Sequence, residues 1–162
     1  MTLYVAVCGA DDPAPPDAVA AAEEIGRLVA RAGAVLVCGG GGGVMAAATR
    51  GASAEGGLAV GILPGADRLA PNEHLTVSIP TGMGEMRNAL IVRSADALIA
   101  VGGEFGTLSE IAFALKTGVP VVGLGTWELG KQGRPVDAFP VMATPEEAVR
   151  EAVRLAEQRG AG

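Results

Sequence analysis

Unbroken apolar runs that end in glycine clusters constrain this chain most. Leu3 to Cys8 runs into Gly9-Ala10, Ala34 to Cys38 into five glycines, and Ala97 to Val101 into Gly102-Gly103. An alanine-rich stretch with helical spacing follows each glycine cluster. Short continuous apolar runs suit strands covered on both faces, whereas strands with one wet face alternate. The alternation of such runs with helices predicts a doubly wound α/β fold: a mainly parallel sheet with helices on both faces, Rossmann-like. No linker or repeat interrupts it, so residues 1–162 are expected to form a single domain.

Strands are expected at Leu3–Cys8, Ala34–Cys38, Leu58–Leu63, Leu75–Ile79, Ala97–Val101, Val119–Leu124 and Phe139–Met142. Helices are expected at Asp17–Ala32, N-capped by Asp17 and closed by Gly33, and from Val44 to about Glu55. Others should span Glu85–Ser94, Leu108–Thr117 and a last stretch to about Gln158, opened by the capping box Thr144-Pro145-Glu146-Glu147. Ala66–Glu73 and Thr126–Asp137 read as loops.

Composition removes several function classes. One histidine and two cysteines cannot build a Cys/His zinc site, and no metal site is expected. Five aromatic residues give little basis for a base-stacking surface. A net charge of −6 argues against nucleic acid and against electrostatic membrane anchoring. No apolar run approaches the roughly 20 residues of a membrane span. The N-terminus lacks a basic signal-peptide region, so the expected compartment is the cytoplasm, with Cys8 and Cys38 reduced.

In an open parallel sheet, ligands bind outside the carboxyl ends of the strands. Glycine there permits positive φ and lets backbone N–H groups approach an anion, with a helix N-terminus behind. The candidate ligand residues are therefore Gly9, Ala10, Gly39, Gly40, Gly41, Gly42, Gly43, Val44, Met45, Gly102, Gly103, Gly106 and Thr107. Gly9 alone could equally serve turn geometry. Neither long loop has a P-loop Lys-Ser/Thr or a dinucleotide spacing. Arg87 follows the turn Thr81-Gly82-Met83-Gly84 and is expected in the first turn of its helix. It offers a planar fork to phosphate or carboxylate, or else pairs with Glu85 or Asp96 at the surface. Glu110 closes Thr107-Leu108-Ser109-Glu110, which reads as a capping box; the alternative is a general acid or base beside the glycine loop. The pair Asp11-Asp12 could hold a cation or simply be solvated.

Two stretches together resemble a known family. Cys38 to Met45, followed by Arg50-Gly51-Ala52, is similar to the first signature of the "lysine decarboxylase-like" family, which includes cytokinin-activating phosphoribohydrolases. Gly102 to Glu110 is similar to its second signature, PGGxGTxxE. The resemblance spans Val5 to about Gly125. It implies no lysine decarboxylase activity and no cofactor for chemistry. It implies that Arg87 and Glu110, which match the family's catalytic pair, act on a base–ribose bond while the glycine loops hold a 5′-phosphate. The departures are Asn88, where active enzymes usually have lysine, Val101 for proline, and the lead-in Thr81 to Glu85. These make the chain resemble the subgroup containing the molybdenum-cofactor carrier protein, which binds a phosphorylated pterin without converting it; Asn88 joins the ligand candidates. The expected function is thus binding of a nucleotide or phosphorylated cofactor, molybdenum cofactor among them. The alternative is a nucleoside 5′-monophosphate phosphoribohydrolase. The expected partners are a small phosphorylated ligand and copies of the chain, as a dimer or tetramer.

Overall fold

A computed structural model describes residues 1–69 and 72–160. Ala70 and Pro71, within the expected loop Ala66–Glu73, lie outside them. Six strands form one sheet: β1 (Tyr4–Gly9), β2 (Val35–Cys38), β3 (Ala59–Leu63), β4 (Val77–Pro80), β5 (Ala97–Val101) and β6 (Val121–Leu124). They lie in the order β4-β3-β2-β1-β5-β6, and every neighbouring pair is parallel. Gly9 is in register with Val101 and Cys38 with Gly61, so the strand ends that precede the glycine turns share one edge.

The helices are α1 (Pro16–Arg31), α2 (Gly43–Ala54), α3 (Asn88–Arg93), α4 (Phe105–Thr117) and α5 (Pro145–Gly160). Successive strand side chains point to opposite faces. Val5, Val7, Leu36 and Ile99 therefore pack with α1, α2 and α5, while Ala6, Cys8, Leu98 and Ala100 pack with α3 and α4. Burying one such Leu or Ile fully is worth about 1.5–3 kcal/mol. Both faces being covered explains why the strands carry no polar alternation. Among the described residues no helix is long and apolar enough to cross a membrane.

Several local expectations are corrected. α1 starts one residue early, at Pro16, and its N-cap is Pro15; the Asp17 carboxylate bonds only its neighbour's N–H, on Ala18, at 2.9 Å. The helix expected over Glu85–Ser94 is broken: Gly84, at φ +57°, opens a 3-10 turn, Gly84–Arg87, and α3 begins only at Asn88. α4 starts at Phe105, two residues before the expected cap Thr107. Gly103, at φ +100°, turns the chain early, and the Thr107 side chain fills the space where a Gly103 Cβ would lie. Thr107 and Glu110 therefore sit inside the helix, buried, and form no capping box. At α5 the box does form, displaced by one residue on its return bond. The Glu147 N–H donates to Thr144 Oγ1 at 3.2 Å, and the Ala143 N–H donates to the Glu147 carboxylate at 3.1 Å. The loop expected over Thr126–Asp137 contains an antiparallel hairpin, β7 (Leu129–Lys131) and β8 (Arg134–Val136). The strand expected at Phe139–Met142 is a single bridge from Val141 to Gly123.

α1 and α2 touch backbone to backbone. A Cβ on Gly26 would lie 1.9 Å from the Ala48 carbonyl oxygen, and one on Gly51 would lie 1.9 Å from that of Glu23. Across the same seam Arg50 donates to the Glu23 carboxylate from Nε at 3.0 Å and Nη2 at 2.7 Å. Amide hydrogen exchange is expected to be slowest in the buried halves of α1 and α2 and clearly faster over 82–87, where two positive-φ glycines and a 3-10 turn without buried residues stand. Equal protection in both regions would contradict this division.

Candidate functional site

The sheet changes winding direction between β1 and β5, and a ligand crevice is expected outside the carboxyl ends of the strands there. A cleft of about 650 Å³ occupies that place. The ends of β1 and β2 give it Cys8, Gly9, Ala10 and Gly39; the 3-10 turn and α3 give Arg87 and Asn88; α4 gives Gly106, Thr107 and Glu110; α2 gives Met45. These nine residues other than Cys8 are the sequence candidates that the fold brings together.

The rest of the glycine loops is placed otherwise. Gly40, at φ +75°, packs on Leu63, and Val44 is fully buried beneath the cleft. Gly41, Gly42 and Gly43 do not line the cleft, because the loop after β1 covers them. The Gly42 N–H donates to the Asp11 carboxylate at 2.8 Å, and the Val44 N–H donates to the Ala10 carbonyl at 3.0 Å. A Cβ on Gly42 would lie 2.0 Å from an Asp12 carboxylate oxygen. The N-terminus of α2, expected to face an anion, therefore faces the protein's own Asp11. Gly102 and Gly103 open toward a neighbouring hollow that they line with Glu104, Gly125, Thr126 and Trp127. Arg50, part of the first signature, belongs to the α1–α2 seam instead.

Sequence reasoning missed the acidic character of the rim. Asp11, Asp12, Glu85 and Glu104 join Glu110 around Arg87, the one cationic side chain lining the cleft among the described residues. The adjacent acids just after the β1 turn were the available signal. Among the described residues no group of three or more His, Cys, Asp or Glu is arranged to hold a metal.

Arg87 spans the floor. Its Nη2 donates to the Gly39 carbonyl at 3.1 Å, and its Nη1 donates to Asn88 Oδ1. Asn88 in turn donates to Ser109 Oγ at 3.2 Å, and Ser109 to the Gly106 carbonyl at 2.6 Å, which ties the 3-10 turn to α4. Arg87 Nε is buried and has no partner. Burial lowers the Arg87 pKa, and Glu110 opposes that shift.

Glu110 is only 6% exposed. Burial pushes its carboxyl up to about 7, against the Arg87 charge and the Cys8 thiol, which pull it down. The Cys8 thiol donates to the Ile99 carbonyl at 3.8 Å and also faces Glu110. Burial raises both free thiols, Cys38 to about 11, so neither is a thiolate at neutral pH. The cleft thus offers a guanidinium whose buried Nε–H is unpaired and a carboxyl that exchanges its proton near neutrality.

A family described as SLOG cluster4 matches residues 2–150. An uncharacterized protein of Archaeoglobus fulgidus is 45% identical over 128 residues, which are 79% of this chain and 80% of that one. The molybdenum cofactor binding protein of Rippkaea orientalis is 33% identical, with a TM-score of 0.84 over 95% of this chain and 96% of that one. The molybdenum cofactor carrier protein of Chlamydomonas reinhardtii is 29% identical, with a TM-score of 0.83 over 97% and 99%.

Proposed function

This chain belongs to the SLOG cluster4 family, and from that premise we propose that it binds a phosphorylated small molecule in the β1–β5 cleft and carries it without converting it. The observation that bears most weight is the buried Arg87 Nε without a partner. An unsatisfied buried donor costs roughly 1–3 kcal/mol, and a phosphate oxygen is an acceptor that removes the cost. That donor fits an anionic group. The acidic rim limits how it enters, and a Glu110 that holds a proton about half the time near pH 7 reduces the opposing charge. Molybdenum cofactor is a candidate cargo, supported by the likeness to the Rippkaea and Chlamydomonas proteins. Arg87 and Asn88 would hold its phosphate, and Gly9, Gly39 and Gly106 would let it approach the backbone. The residue beside Arg87 is an amide that consumes one guanidinium donor, where active phosphoribohydrolases usually have lysine.

One observation favours a second reading. A carboxyl with a pKa of about 7, in a cleft with an arginine, is poised for general acid–base work. In a nucleoside 5′-monophosphate hydrolysis, Glu110 would take a proton from water attacking C1′, or give one to the departing base. The products would be free base and ribose 5-phosphate. Incubation of the purified protein with AMP and cytokinin ribotides, followed by chromatography, separates the readings. The expected result is no cleavage, with a pterin phosphate copurifying. Base release that disappears in Glu110→Ala would overturn the carrier proposal.

A further inference from the structure

We propose that the hollow beside the cleft is a seat for a planar nitrogen heterocycle, whose phosphate-bearing end occupies the cleft; this rests on the cleft reading above. The hollow measures about 430 Å³ and lies at the carboxyl ends of β5 and β6. Glu104 lines both spaces, so one extended ligand can cross from one to the other.

Of the five aromatic residues, Trp127 lines the hollow, and Phe105, outside that lining, packs against it at the edge. Phe105 and Trp127 have ring centroids 5.4 Å apart at 41°. Phe105 is 75% exposed, on the first residue of α4. Packing does not require so large an apolar side chain in water, and an aromatic face kept at a site edge is the usual stacking surface for a flat ring. The surface is held in place. The Trp127 indole N–H donates to the Glu104 carbonyl at 3.2 Å, and Thr126 Oγ1 donates to the Gly102 carbonyl at 2.5 Å. The floor, Gly102, Gly103 and Gly125, is glycine at positive φ throughout, so no Cβ stands between a ring and the backbone. Glu104 lines the hollow, and its carboxylate would be the acceptor for ring N–H or amino groups. Aromatic face, glycine floor and edge acceptor together select an amino-substituted heterocycle over a plain sugar phosphate.

Trp127 is the only tryptophan, so its emission reports this hollow directly. AMP and a pterin monophosphate serve as ring-bearing probes and ribose 5-phosphate as the ringless one, each titrated by calorimetry and by fluorescence. The ring-bearing probes are expected to quench Trp127 saturably, at the concentrations at which heat is released, and ribose 5-phosphate to leave it unchanged. Phe105→Ala is expected to weaken the ring-bearing probes about tenfold without changing ribose 5-phosphate. Ring-bearing probes that bind calorimetrically without quenching, and equally well to Phe105→Ala, overturn this inference and leave the cleft reading standing. Quenching with an affinity that Arg87→Ala does not alter sustains the hollow and overturns the cleft reading. Heat from none of the probes overturns both.

Discussion

Glu110→Gln is expected to stabilise the protein by about 2 kcal/mol at pH 8 and to flatten its stability between pH 4.5 and 7. The wild-type carboxyl ionises at an ordinary value of 4.5 in the unfolded chain and at about 7 in the folded one. Below pH 4.5 both forms are protonated and the residue costs nothing. As the pH rises, the unfolded chain releases the proton first, so stability falls until the folded form also ionises near 7. Each pH unit of that interval is worth about 1.4 kcal/mol, which sets a ceiling of about 3 kcal/mol. The amide removes the ionisation but deprives Arg87 of the buried Glu110 charge, leaving only the more exposed Asp11 and Glu85, and the expected gain therefore lies below the ceiling. Urea denaturation at pH 5 and pH 8 measures both quantities. A variant that is less stable than wild type at pH 8, or that keeps the wild-type fall, would show that Glu110 is not a buried carboxyl of raised pKa.

Gly51→Ala is expected to destabilise by about 2 kcal/mol, and Gly26→Ala by a similar amount. Helix propensity alone predicts the opposite, a gain of about 1 kcal/mol for each. The new methyl carbon, however, would stand 1.9 Å from a carbonyl of the facing helix. Backbone on both sides of the seam cannot rotate away as a side chain can, so α1 and α2 must separate. Separation also misaligns the Arg50–Glu23 pair. Gly106→Ala is the control, since Gly106 is helical and its Cβ would find nothing nearer than Asn88 Nδ2 at 4.0 Å. It should be neutral or stabilising. Gly51→Ala and Gly106→Ala shifting the denaturation midpoint in the same direction would remove the packing argument.

The alternation of strand and helix was legible because it depends on burial, and burial writes continuous apolar runs into the sequence. β5, Ala97–Val101, needed no correction. The hairpin β7–β8 was not legible. Its strands are three residues long, and its turn places Gln132 at φ 53° before Gly133 at φ 75°, without the Asn-Gly or Asp-Gly pair that usually marks such a turn. Thr107 and Glu110 have the residue types and spacing of a cap, and only the early turn at Gly103 shows that they lie inside α4. The candidate site was legible in outline and not in detail for the same reason. Gly102 to Thr107 is one motif in sequence, yet the start of α4 at Phe105 divides it between cleft and hollow. Five consecutive glycines read as an open cradle, although three of them lie under Asp11 and Asp12. Long-range contacts of that kind leave no periodicity.

The seam between α1 and α2 has a consequence for what the cleft can hold. α1 follows the loop that bears Asp11, and α2 grows out of the loop that bears Gly42. With the two helices in backbone contact, those loops form one fixed jaw. The opposing jaw is the 3-10 turn that carries Arg87, preceded by Gly82 and opened by Gly84, both at positive φ. A bulkier ligand in the proposed cleft would therefore have to gain its room on the arginine side, against the Arg87–Gly39 and Asn88–Ser109 hydrogen bonds.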